Sequence, residues 1–421
     1  MSFGRKVTMI GLGVAVLGAS LALAAEAVAS SEDASPFENL RAFAEALHVV
    51  ETAYVEVVDQ DALVQGALRG LLRELDPHSD YLAPEEYARL RADSAGHFGG
   101  IGVEVVVRDG WLTVAGVFPG GAAEQQGLQP GDRFLVIADA PARDMRLRDA
   151  VALMRGESGT SVDVVIRRAD VAADVSVRLE RGRIDVPPIT TELIGDGLLH
   201  VTVHSFQEGT AEAVQAALHE NVRGVLLDLR NNGGGLLREA VRLGDLFLDE
   251  GVIVSTRARG ASTREAIYAR QGGVSPGVKL VVLINGYTAS AAEIVAAAVS
   301  DHERAVLVGE RSFGKGSVQS LVELSNGGAL KLTTALYFSP SGHAIQARGV
   351  MPDYLAESTS GQQEAVRRED ALEGHLGSEA APAGTPALAA DTSALPGGEF
   401  AQDGAARAAY RVLLGMLSES S

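Results

Sequence analysis

The 421-residue chain contains no cysteine. No disulfide and no thiolate metal site can form, and a lipoprotein anchored through cysteine is excluded. The fold is indifferent to redox compartment, so an oxidising one is permitted. Positive charge is also scarce: 36 Lys and Arg face 55 Asp and Glu, for a net charge of −19 and a pI near 4.9. That balance argues against nucleic acid or an anionic membrane surface as partner. The nine histidines form no H-E-x-x-H or comparable metal pattern. No G-x-S-x-G elbow occurs around the candidate serine described below, which argues against an esterase of that type. No internal repeat is evident, and the length suits two or three domains with ample core.

The N-terminus reads as an export signal. Arg5 and Lys6 give a basic start, residues 7–25 carry no charge, and Ala27-Val28-Ala29 offers a small-x-small cleavage site before Ser30. The rival to a signal spanning 1–29 is an uncleaved anchor, since the apolar run approaches spanning length. Either way the folded part is expected outside the cytoplasm, in a periplasmic or other extracytoplasmic setting. The membrane is reached only through this segment.

Residues 36–95 carry helical stripes: Leu40, Phe43, Leu47, Val50 and Tyr54, then Leu63, Ala67, Leu68, Leu71 and Leu75, with Pro77 as the stop. Both are read as core and interdomain packing. Residues 97–182 change to short β-branched runs and glycine turns, with an amphipathic helix that puts Leu147, Val151 and Met154 on one face. Residues 183–355 alternate strand and helix, which predicts an α/β core with mixed sheet pairing. From 357 to 399 the chain is rich in Ala, Gly, Glu, Ser and Pro and reads as a flexible linker. The segment 400–421 recovers a helical stripe, expected to dock on the protein or on a second copy. The fold class is multidomain α+β.

Three polar residues stand out in the apolar second half. Ser290 follows a strand-like run (278–285) and opens a small-residue helix (288–299). Lys315 sits in the glycine-bracketed GERSFGKGSVQ (309–319), and Gln319 ends that stretch. A serine hydroxyl needs a base, and a lysine can be that base if burial keeps it neutral. Moving a lysine from about 10.4 to about 7 takes roughly 4–5 kcal/mol against its charged form. The bland readings are a helix-capping serine, a surface lysine and a solvated glutamine. Gln319 lies about one helical turn beyond Lys315, within reach of the amine. Residues 309–315 also match G-x-x-x-x-G-K, but Gly316 stands where a nucleotide site needs Ser or Thr.

The segments DLRNNGGGLL (228–237), NGYTASAAEI (285–294), GERSFGKGSVQ (309–319) and RGVMPD (348–353) occur in that order. So do LDPHSDYL (75–82) and FGGIGVEV (98–105) upstream, and Lys315 stands 25 positions after Ser290. Over roughly residues 36–355 the chain resembles the carboxyl-terminal processing peptidases, Ser–Lys serine peptidases with a PDZ domain. The resemblance implies Ser290 as nucleophile, Lys315 as general base and Gln319 as its orienting partner. It implies an oxyanion hole from the amides of Ala291 and Gly235, with Gly234 next. In the PDZ-like part it implies a carboxylate-binding loop at Gly100, Ile101, Gly102 and Val103, beside Leu147 and Val151. Two positions depart from the family pattern, Ala292 for a second serine and Gly233 for proline, and neither belongs to the dyad.

The expected function is an exported serine endopeptidase that takes protein substrates by accessible C-terminal tails. A catalytically silent PDZ adaptor is the rival. No small-molecule cofactor is implied. In the family the helical region often forms a dimer contact, and a homodimer or an adaptor or activator protein would fit. His48, His78, His200, His204 and His343 are scattered and take their bland readings.

Overall fold

The computed structural model describes residues 36–169, 171, 173–261, 264–270, 272, 277–356, 366–377, 388–393, 400 and 402–418. The expected signal at 1–29 lies outside them. Among the described residues no helix is long and apolar enough to cross a membrane.

The chain divides into a first unit ending at Gly70 and a second running from Leu71. In the first, α1 (Pro36–Ala53) and the start of α2 (Gln60–Arg73) take the places the stripes predict. The stripe is not core in the single chain, however. Leu40, Phe43, Val50 and Tyr54 are all exposed, Leu40 at 62 %.

The second unit opens with a turn at 76–79, the short strand β1 (Asp80–Leu82), α3 (Pro84–Ser94) and β2 (His97–Gly100). Pro84 starts α3 where no N–H is needed, and the Glu86 carboxylate accepts from the Ala83 amide at 2.8 Å. A β-rich domain follows, built from β3 (Val103–Arg108), β4 (Trp111–Val117), α4 (Ala122–Gln125), β5 (Arg133–Ile137), β6 (Ala140–Pro141), α5 (Leu147–Met154), β7 (Ser161–Arg167) and β8 (Val175–Glu180). Its sheet runs β3-β4-β5-β7-β8 around a core of Ile101, Phe134, Ile137 and Leu179. Then β9 (Gly182–Asp185) pairs with β2 and closes the neck of this domain.

The remainder forms two sheets. The larger runs β10 (Ile189–Gly195), β11 (Leu198–Val203), β12 (Gly224–Asp228), β15 (Lys279–Ile284), β16 (Val306–Gly309), β19 (Tyr354–Leu355) and β20 (Leu388–Ala389). It is parallel except at β10–β11. Its central strands are unbroken Val/Leu/Ile runs because both faces are covered. Val225, Leu227, Leu280 and Val282 pack with the helices α6 (Thr210–Ala217), α7 (Leu237–Phe247) and α8 (Ala291–Asp301). Leu226, Val281, Leu283 and Val308 alternate to the other side. There they meet Ala406, Ala409 and Leu413 of α9 (Gly404–Ser418), so the C-terminal helix docks on this chain's own sheet.

The second sheet is antiparallel: β1, then β18 (Ala329–Phe338), β13 (Val252–Ala258) and β14 (Glu265–Tyr268), with β17 (Ser317–Glu323) also on β18. β1 pairs Asp80 with Lys331 and Leu82 with Ala329. Within the stretch expected as a linker, 366–377 and 388–393 make specific contacts, and β20 extends the larger sheet.

Candidate active site

The serine stands on a strained turn. β15 ends at Ile284, and the chain reverses through Asn285 and Thr288. The Asn285 amide donates to Thr288 Oγ1 at 2.9 Å, and Thr288 Oγ1 donates to the Leu229 carbonyl at 2.8 Å. Asn285 Nδ2 donates to Asn231 Oδ1 at 2.9 Å, tying this turn to the DLRNNGG loop. Ser290 then adopts φ 57°, ψ −117°, the left-handed side that a non-glycine residue reaches only when its surroundings force it. It is buried at the N-terminus of α8.

Two neighbours accommodate that conformation. The Ser290 amide donates to Glu293 Oε2 at 2.8 Å. Gly234, at φ +96°, lies across the turn: a Cβ there would fall 2.8 Å from Ser290 Cβ and 2.9 Å from the Ala291 nitrogen. The Ala291 amide is the first of the helix, among those an α-helix leaves without an intrahelical acceptor. The Gly234 amide is already donated to Asn232 Oδ1 at 2.8 Å. Gly235 also needs its bare Cα, since a Cβ would meet the Phe206 carbonyl at 2.3 Å.

The lysine loop is bound to the same carboxylate. Glu293, fully buried, accepts from the Gly314 amide at 2.7 Å, the Lys315 amide at 2.9 Å and Ser312 Oγ at 2.5 Å, besides the Ser290 amide. Burial pushes its carboxyl up to about 7, and these four donated bonds pull the other way. The Phe313 amide donates to the Thr288 carbonyl at 2.9 Å, a second tie between lysine loop and serine turn. Burial lowers the Lys315 amine to about 8; Lys331 adds to that, while Glu369, Glu293 and Asp76 oppose it. Sequence reasoning passed over Glu293, although Ser290 and Glu293 form an S-x-x-E capping pattern.

Gln319 is not one helical turn beyond the lysine. It lies on β17, where a bulge between Val318 and Gln319 shifts the register against β18. Its Nε2 donates to Ser317 Oγ at 2.9 Å and Thr333 Oγ1 at 3.2 Å. Thr333 Oγ1 donates in turn to Asp76 Oδ1 at 3.1 Å, and the Thr333 amide to Ser79 Oγ at 3.1 Å. The turn at 76–79 therefore backs the strand that holds Gln319. Tyr337 is a further neighbour not foreseen. Burial pushes its phenol up to about 12, a hydrogen bond with Ser290 opposes this, and its amide donates to the Gly316 carbonyl at 2.6 Å. The G-x-x-x-x-G-K stretch leads into strand β17, whereas a phosphate loop leads into a helix.

A buried ion group sits at the end of β12. Burial alone would raise the Asp228 carboxyl, but hydrogen bonds with His200 and Arg230 and the Arg230 charge hold it down to about 2. Arg230 bridges Asp228 at 2.6 Å and Asp403 at 2.8 Å. His200 thus has a definite partner, at 3.3 Å.

In the β-rich domain, Gly100 closes β2, and Ile101 is core, its carbonyl accepting from the Ala123 amide at 2.9 Å. Gly102 needs its φ of +81°. Val103 starts β3, an edge strand of its sheet, and α5 lies beside β3 with Leu147 exposed and Val151 half-buried. The glycine loop thus leads into an edge strand that has α5 beside it.

Three family descriptions match the chain: Peptidase family S41 over residues 197–356, PDZ domain over 92–167, and Activating protease CtpB N-terminal domain over 13–86. The carboxy-terminal-processing protease of Bartonella bacilliformis is 35 % identical over 384 residues, covering 88 % of each chain. Carboxy-terminal processing protease CtpA of Bacillus subtilis is 32 % identical over 329 residues, covering 77 % of this chain and 69 % of that one. Among solved structures, the photosystem II D1 C-terminal processing protease is 30 % identical, with a TM-score of 0.47, over 75 % of this chain and 92 % of that one.

Proposed function

Since the chain belongs to peptidase family S41, as a carboxy-terminal-processing serine protease with a PDZ domain, we propose that Ser290 is its nucleophile and Lys315 its general base. The observation that carries this is the shared anchor: one buried carboxylate, Glu293, accepts the backbone amides of both residues. The neutral Lys315 amine takes the Ser290 Oγ proton as that oxygen attacks the scissile carbonyl carbon. The tetrahedral oxyanion is received by the amides of Ala291 and Gly235. The ammonium then returns the proton to the leaving amine, and an ester to Ser290 remains. Water, deprotonated by the same lysine, hydrolyses that ester. Gln319, fixed by Ser317 and Thr333, orients the amine.

The substrate is a protein with an accessible C-terminal tail. Its carboxylate binds the loop Gly100–Val103, its strand adds to the edge of β3, and Leu147 and Val151 receive its last side chain. Residues 1–29 export the chain and place the folded part outside the cytoplasm. The exposed stripe of α1 serves a homodimer or an activator contact. The chain is divided into a helical region (36–95), a PDZ domain (97–182) and a peptidase core (183–355).

The test is intact-mass spectrometry of residues 30–421 incubated with a small folded protein that carries an unstructured apolar C-terminal tail, beside Ser290→Ala and Lys315→Ala. Shortening of the tail by the unaltered enzyme alone is expected. Shortening that survives Ser290→Ala overturns the assignment of the nucleophile.

A further inference from the structure

The segment beyond the peptidase fold returns to the active site. Val366 and Arg368 lie against Gly286 in the turn that carries Ser290, where a Cβ would come within 3.1 Å of either Val366 methyl. The Glu369 amide donates to the Phe313 carbonyl at 3.2 Å. Arg311 bonds Asp370 at 2.9 Å. All of these contacts fall on residues 286 and 311–313, the two loops that hold the candidate dyad.

Glu369 is the centre of the arrangement. It is charged chemistry in a place with no solvent, at 0 % exposure. Gln346 Nε2 donates to one of its carboxylate oxygens at 2.7 Å, and His78 Nε2 bonds the other at 2.7 Å. Gln346 is itself fully buried, and its Oε1 accepts the amide of Gly316, next to Lys315, at 2.9 Å. His78 comes from the turn whose Asp76 holds Thr333 and, through it, Gln319. One carboxylate from the C-terminal segment therefore joins the loop before β1 to the loop of the lysine. The Ser–Lys chemistry described above gives it no task, since it bonds neither Ser290 nor a candidate oxyanion donor.

Burying a carboxylate is costly unless its charge is matched. The charged groups set around the Lys315 amine are Lys331 from β18, Glu293 from α8, Asp76 from the 76–79 turn and Glu369. His78, Arg311, Arg368, Glu310 and Asp370 stand around the segment itself. We propose that Glu369 is a positioning residue of the active site: it fastens residues 366–377 over the lysine loop and supplies negative charge against which the Lys315 amine is set. The peptidase site is complete only with this segment docked. The proposal rests on the reading of Lys315 as general base.

The experiment compares unaltered enzyme and Glu369→Gln, measuring kcat and KM from pH 6 to 10 on a tail peptide without titratable groups, with Tm recorded for each. Removing a negative charge favours the neutral amine, so the acid limb of kcat/KM should move to lower pH by about one unit, with KM changed less than twofold. A purely structural role would lower Tm and leave the limb in place. Gln346→Ala, which frees the Gly316 amide, should lower kcat about tenfold at unchanged KM. Should Glu369→Gln fail to fold, Arg311→Ala with Asp370→Ala loosens the segment from its solvent side and should move the limb in the same direction by less. An acid limb that stays in place in whichever variant folds overturns the proposal. An unaltered enzyme with no limb between pH 7 and 9 overturns instead the reading of Lys315 on which it rests.

Discussion

The pH dependence of turnover is the most direct physical consequence of a buried lysine. An amine at its ordinary 10.5 is neutral in about three molecules per ten thousand at pH 7. At about 8, as in this pocket, about one in ten is neutral, a gain of about 300-fold in usable base and equivalent to about 3 kcal/mol. The sign follows from the proposed mechanism: with Lys315 as the base, which works without its proton, activity rises with pH through the folded value. Between pH 7 and pH 9 kcat/KM should climb about tenfold and then level off. An unshifted lysine would instead give about a hundredfold rise over the same interval with no plateau. The assay is initial-rate cleavage of a fluorogenic peptide with blocked side chains, with intact-mass controls for enzyme self-cleavage. Lys315→Arg, which cannot lose its proton, should be inactive at every pH. A profile that inflects near 6.5 would assign the titration to a histidine, and a flat one would remove proton transfer to Lys315 from the rate-determining chemistry. Either result refutes the argument.

Gly234→Ala should lower kcat/KM by a hundredfold or more with only a few degrees lost in Tm. A left-handed alanine costs about 1–2 kcal/mol, and its Cβ would press on the Ser290 turn at 2.8 Å, where a displacement of about 1 Å costs about a hundredfold. Full activity in this variant would show that Gly234 does not set the serine. Asp228 should make the fold acid-sensitive. Its folded value lies below that of the unfolded chain, so its contribution is present above about pH 4 and is lost as pH falls towards 2. The magnitude is about 2 kcal/mol, read by urea unfolding at pH 5 and pH 2.5. Asp228→Asn should lose that difference; equal pH dependence in the two proteins would refute it.

What could be read from the chain alone was what short windows hold. Ser290, Lys315 and Gln319 lie in stretches of a dozen residues whose composition is unusual, and the buried strands of the larger sheet announce themselves as Val/Leu/Ile runs. Gln319 stands four positions after Lys315, a separation that makes one turn of a helix but lies along a strand here. Pairing with β18 overrides that spacing, and no local signal reports the pairing. Glu293 stood in plain view as a capping residue, but its bonds to Gly314 and Lys315 span about twenty positions. His78, Thr333, Gln346 and Glu369 form one connected group drawn from four distant places. Each taken singly is an ordinary polar residue. The C-terminal helix was legible as amphipathic, but its partner face was not, because the sheet strands are apolar on both sides.

The pairing of β1 with β18 bears on how this protein comes into being. Ser79 and Thr333 are 254 positions apart, and their hydrogen bond belongs to the support behind Gln319. While the ribosome is still supplying the chain, the earlier partner waits without the later one, and the Glu369 segment is later still. Loops of that span also close slowly. A half-made molecule therefore carries Ser290 without the walls around it. On the proposal that Ser290 is the nucleophile, its support is complete only once the Glu369 segment has been made.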